Sequence, residues 1–207
     1  MKITELIELG WEKYKMKIAS GLINPENEKM MQLQLSQIYE TLSSVFESES
    51  DESIKILLEV PVIIRGETSR IIDIVISHAR NGHVSYYPIE LKCFRLYTRK
   101  GDGKKRGAQN IGMYDYWEDI ENIEGYSTLI NYKVGYQFTL TDDSYYVTTK
   151  HCGSQVSMYS TNNTRNNVTG NLIHNIANRA GKISLNGTYT MEGWQNIGNY
   201  WFVQQNI

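Results

Sequence analysis

"YYPIELKCF", residues 86–94, sets a glutamate and a lysine inside a run that otherwise asks for burial. Side chains alternate across a strand, so Glu90 and Lys92 share one face while Ile89, Leu91 and Cys93 line the other. Upstream, "RIIDIVIS" (70–77) follows the same pattern. Its spacing predicts Ile72, Ile74 and Ile76 on one face, and Asp73, beside Ile71 and Val75, on the opposite one. The chain between Asp73 and Glu90 is long enough to turn and bring a second strand alongside, so Asp73, Glu90 and Lys92 are expected to converge. Two carboxylates that meet repel, and one takes up a proton unless a cation lies between them. A hard divalent ion such as Mg²⁺ or Mn²⁺ suits oxygen ligands of this kind. A metal and a lysine in one cleft fit a substrate that gains negative charge as it reacts, which points to a phosphodiester.

The surrounding sequence predicts an α/β chain. Ile3, Leu6, Ile7, Trp11, Tyr14 and Ile18 recur at helical spacing, giving a first helix over 1–20 that ends before Gly21 and Pro25. A second helix is expected over 26–46, with Met31, Leu35, Ile38, Leu42 and Val45 as its stripe. "SIKILLEVPVII" (53–64) reads as a strand at an edge or bulge because of Pro61. The Asp73 and Glu90 strands follow. Next come a glycine-rich basic loop (95–107), the helix "AQNIGMYDYWEDIENI" (108–123) and the strand "KVGYQFTLTDD" (133–143). "SYYVTT" (144–149) predicts a fifth strand, 170–180 a short helix capped by Gly181, and 183–190 with 199–205 a closing hairpin. No repeat or composition break divides the 207 residues, so one domain over 1–207 is expected.

Asp73 followed by Glu90-Leu91-Lys92 resembles the signature of the PD-(D/E)XK nuclease superfamily, which includes many restriction endonucleases; Ile72 stands where that signature carries proline. The element order over about 26–142 is similar to that superfamily's core, with helix 1–20 as an extension and 143–207 as closing elements. The resemblance implies a restriction-endonuclease-like core, a central mixed β-sheet flanked by α-helices. It implies that Asp73, Glu90 and the Leu91 carbonyl hold Mg²⁺, with Mn²⁺ as substitute, while Lys92 orients or activates the attacking water. A further glutamate is expected from Glu28, at the edge of the second helix's stripe, or from Glu59; Glu40 lies on the opposite face. Gln109 occupies the place of a glutamine that many members carry, with Arg106 one turn before it.

Net charge is −2, so any surface that grips nucleic acid must be local. The loop with Arg95, Arg99, Lys100, Lys104, Lys105 and Arg106 carries only Asp102 against six positive charges. It reads as a phosphate-backbone clamp or as a solvated loop. The asparagines at 162, 163, 166, 167, 171, 175 and 178 read as turn formers or as adenine-edge readers. His151 beside Cys152 lacks a second ligand pair at zinc spacing. Two cysteines make no disulfide framework, and the N-terminal stretch lacks a signal-peptide core, so a cytoplasmic, non-membrane protein is expected. These residues point to a Mg²⁺-dependent DNA endonuclease of restriction or defence type, a homodimer because cutting both strands needs two sites. The alternatives are a catalytically inactive nuclease-fold module that binds DNA or protein, and a structure-specific recombination or repair nuclease. Whether a methyltransferase partner exists is left open by the sequence.

Overall fold

The computed structural model describes residues 2–47, 51–64, 68–97, 103–149, 155–176 and 179–207. Two helices lead: α1 (Ile3–Ala19) and α2 (Glu28–Phe46), the latter capped by the Asn27 side chain, which accepts from the Met30 N–H. Strands β1 (Ser53–Ile64), β2 (Thr68–Arg80) and β3 (His83–Phe94) form an antiparallel meander. Helix α3 (Gln109–Tyr126) then crosses to β4 (Tyr136–Thr141), which runs parallel to β3. The chain closes with β5 (Val168–Ile173), β6 (Lys182–Tyr189), β7 (Gln195–Ile197) and β8 (Tyr200–Asn206). The result is an α/β chain with a mixed six-stranded sheet, β1-β2-β3-β4-β8-β7, flanked by helices, and a separate β5–β6 ribbon. Among the described residues no helix is long and apolar enough to cross a membrane.

One face of the sheet, with Ile74, Ile76, Ile89, Leu91, Cys93, Phe138 and Phe202, packs under α1 and α2. Trp11 stacks on Phe138 at 4.5 Å between ring centroids. Tyr39 of α2 lies against Gly10 of α1, where an added Cβ would come within 2.1 Å of its ring, so only glycine permits this approach. Burying each aliphatic side chain of this layer contributes about 1.5–3 kcal/mol. On the other face α3 packs with β6, and Met113, Tyr116, Trp117 and Ile120 build a second core.

Between these layers the sheet exchanges faces. Ile54, Ile56, Ile74 and Ile76 pack under α2, but Val60, Val62, Ile64 and Ile72, at the same even-numbered positions, pack with Ile123 and Tyr126 of α3. The change falls between the pairs Leu58–Ile74 and Val60–Ile72. There Glu59 takes a left-handed backbone (φ 52°), and it and Asp73 make no ladder pair although register is kept on both sides. Ile72 therefore does not share a face with Ile74 and Ile76 as its spacing predicts. Pro61 does sit on an edge strand, β1.

Four other expectations are corrected. Val45 is 68% exposed, and Tyr39 and Phe46 complete the α2 stripe instead. "SYYVTT" is no strand: the Asp143 carboxylate accepts from the Tyr145 N–H and winds Ser144–Tyr146 into a 3-10 turn. The helix expected at 170–180 begins as strand β5, because 168–173 pair with β6. Its end residue Gly181 is left-handed (φ 73°) but accepts from the His174 N–H across the ribbon, closing a strand connection and not a helix. The closing hairpin does not form: β6 pairs with β5, whereas β8 pairs with β4 and β7.

Candidate active site

The β2–β3 ladder ends at the pair Ile74–Ile89, one step short of Asp73. Beyond it the Asp73 side chain stands in for the missing ladder: its Oδ2 accepts from the Leu91 N–H at 2.8 Å. Gln32 of α2 holds the other side of the kink, donating to the Asp73 carbonyl at 2.7 Å and to Glu59 Oε1 at 2.7 Å. Asp73 is thus fixed where β2 and β3 separate, beside Glu90 and Lys92.

Glu90 is 5% exposed, and its Oε1 accepts from the Tyr126 hydroxyl of α3 at 2.5 Å. The Lys92 Nζ lies 2.7 Å from Asp119 Oδ2 of α3 and 3.8 Å from Glu28 Oε2 at the start of α2. Four carboxylates, Asp73, Glu90, Asp119 and Glu28, therefore surround one ammonium. Burial, reinforced by Asp119 and Asp73, holds the Glu90 carboxyl well above the usual carboxylate range. Burial also raises Asp73, against the opposing pull of the Leu91 N–H, Lys92 and a hydrogen bond with Glu90. Asp119 is pushed up to about 7 by burial, with Lys92 opposing. Burial works against the Lys92 ammonium, but Asp119, Glu28 and Glu90 outweigh it and keep the proton on.

Asp73, Glu90, Lys92 and Glu28 are brought together. Glu59 is turned outward, where hydrogen bonds from Lys29 and Gln32 lower its pKa. Gln109 donates to the Arg106 carbonyl at 3.0 Å and lies 3.4 Å from Asp143, so it braces the start of α3 and does not enter the cleft. That cleft, of about 370 Å³, runs from Asn27, Glu28 and Lys92 past Arg106, Gly107 and Asp115 to Tyr146.

The basic loop divides. Arg95 touches the cleft but is clamped by Asp142 (2.9 Å), the Pro25 carbonyl and the Tyr200 ring, so it ties the α1–α2 connection to β8 and the residue after β4 and is no open phosphate contact. Lys104, Lys105 and Arg106 are exposed, and Arg106 lines the cleft. Arg99, Lys100 and Asp102 lie outside the described residues, as do His151, Cys152 and Asn178. Asn162 is buried and turns its side chain to Ser160 and Thr164, which is the turn-forming role.

Sequence reasoning missed Asp119, Tyr126 and Gln32. Asp119 breaks the buried stripe of Tyr116, Ile123 and Tyr126, and Gln32 breaks that of Leu35 and Tyr39. A charge or amide on a buried stripe was the available signal for Asp119 and Gln32, and Tyr126 carried none.

Among the described residues no three His, Cys, Asp or Glu side chains are grouped to hold a metal ion. Asp73 and Glu90 nevertheless fit Mg²⁺ by donor chemistry. Both are oxygen donors held in place with excess negative charge around them, and Mg²⁺ retains several waters of its own. The N–H and C=O of a strand residue point to the same flank, so the Leu91 carbonyl, like its N–H, is directed toward Asp73. No protein-family model, curated protein or solved structure matches the chain.

Proposed function

We propose that the chain is a Mg²⁺-dependent DNA endonuclease of restriction or defence type. One observation carries the reading. Asp73, Glu90 and Lys92 meet at the point where two strands part, where four carboxylates face the one Lys92 ammonium, and Lys92 and Glu28 open onto the cleft. Buried like charges of this sort are expensive and are held in functional sites where a charged partner enters. Mg²⁺ bound by Asp73, Glu90 and the Leu91 carbonyl would supply Lewis-acid stabilisation of a phosphodiester and a more acidic water.

The chain's own groups have separable tasks. The Leu91 N–H fixes the Asp73 carboxylate, and the Tyr126 hydroxyl fixes that of Glu90. Lys92, kept charged by its acidic neighbours, offers an ammonium to a phosphate oxygen and stabilises the charge that builds there. Arg106 borders the cleft where the flanking phosphates would pass, and the exposed Lys104 and Lys105 precede it in the chain. Cutting both strands of a duplex then calls for two copies of the chain.

The test is cleavage of duplex DNA with Mg²⁺ or Mn²⁺. Wild-type protein should nick or cut, and Asp73→Ala and Lys92→Ala should each lose at least roughly a hundredfold in rate. Undiminished cleavage by either variant overturns the assignment of roles.

A further inference from the structure

We infer that Asp119 is the counter-ion of Lys92, a positioning residue with which a substrate phosphate must compete for the ammonium; this rests on the nuclease reading above. The geometry is asymmetric. Lys92 and Asp119 are 2.7 Å apart with side chains only 14% and 12% exposed, whereas Glu28, at 3.8 Å, is 42% exposed and lies on the cleft side. Lys92 is thus held by α3 on one side and faces the cleft beside Glu28 on the other.

The groups facing Asp119 make it a counter-ion and nothing more elaborate. From β3 it meets Lys92 and Glu90, from β2 Asp73, from α2 Glu28, and along α3 Tyr116 and Tyr126. Lys92 is the sole cation in that set. A phosphate that enters the cleft brings a further anion to the same ammonium, so Asp119 and the phosphate oppose each other across Lys92. The resting site is therefore partly self-neutralised.

The consequence runs against ordinary damage. Replacing a structural residue weakens binding, whereas removing a counter-ion strengthens it. Fluorescence anisotropy with a labelled mixed-sequence duplex, in EDTA and again with Ca²⁺, measures this at low salt. Asp119→Asn should bind at least roughly threefold more tightly than wild type at pH 7.5. Asp119→Glu, which keeps the charge, should stay near wild type. The gain should vanish when Lys92→Met is combined with Asp119→Asn, because no ammonium is left to release. A thermal melt of each variant establishes that it is folded, and Asp119→Glu reports on the site if Asp119→Asn does not fold, a large loss of affinity in it refuting the proposal. Weaker binding by folded Asp119→Asn, or a gain that survives Lys92→Met, overturns the counter-ion role while leaving the nuclease reading intact. A wild-type protein that binds no duplex removes both.

Discussion

Replacing Glu90 by glutamine should make the metal-free protein more stable, and only above mildly acidic pH. The unfolded chain titrates this carboxyl near 4.5, while the folded protein keeps its proton to much higher pH because burial and the neighbouring Asp119 and Asp73 disfavour the charge. Across that window the folded state binds more protons than the unfolded one. The stability associated with Glu90 is therefore complete below about 4.5 and is lost as pH rises through the folded value. Glutamine is close in shape, keeps an oxygen to accept from the Tyr126 hydroxyl, and never charges. Taking the buried, repelled charge to cost about 2 kcal/mol, the substitution raises the melting temperature at pH 8 by roughly 4–8 °C for a chain of this size. At pH 5 wild type already carries the proton, so the two proteins should melt together. Differential scanning fluorimetry at both pH values decides it. An equal rise at pH 5 and pH 8, or a lower melting temperature at pH 8, refutes the account of the buried charge.

The two arginines that flank the basic loop should behave oppositely: Arg106→Ala reduces the salt dependence of duplex binding by about one unit of slope with little effect on melting, whereas Arg95→Ala, which frees Asp142 and the Pro25 carbonyl, lowers melting and leaves the slope unchanged. Gly135→Ala places a methyl 2.2 Å from the Ile123 side chain and should destabilise by about 1–3 kcal/mol, read as a shift in urea midpoint.

Much of the site was legible because it is written in a short-range code. A period of two in "IELKC" separates Glu90 and Lys92 from Ile89, Leu91 and Cys93, and the structure keeps that separation. Asp73 was placed correctly near them. Ile72 was not, since alternation assumes an unbroken pleat and the left-handed turn at Glu59 breaks it. The errors after residue 143 have two causes: partners distant in sequence decide 168–173 and the closing strands, and a local side-chain bond decides 144–149. Residues 168–173 carry no strong strand signal and are strand because β6 lies beside them; "SYYVTT" has strand composition but is wound by a side chain one residue upstream. Glu28 and Glu59 had equal claims until the fold showed Lys29 and Gln32 occupying Glu59.

The exchange of faces explains how an acid survives in the middle of "RIIDIVIS". Ile72 and Ile74 are both sealed from solvent, but in different oily compartments, one owned by α3 and the other by α2. Slide the carboxylate by one position either way and it lands in hydrocarbon. Between those two isoleucines, position 73 is claimed by neither compartment, so a charge there hollows out nothing.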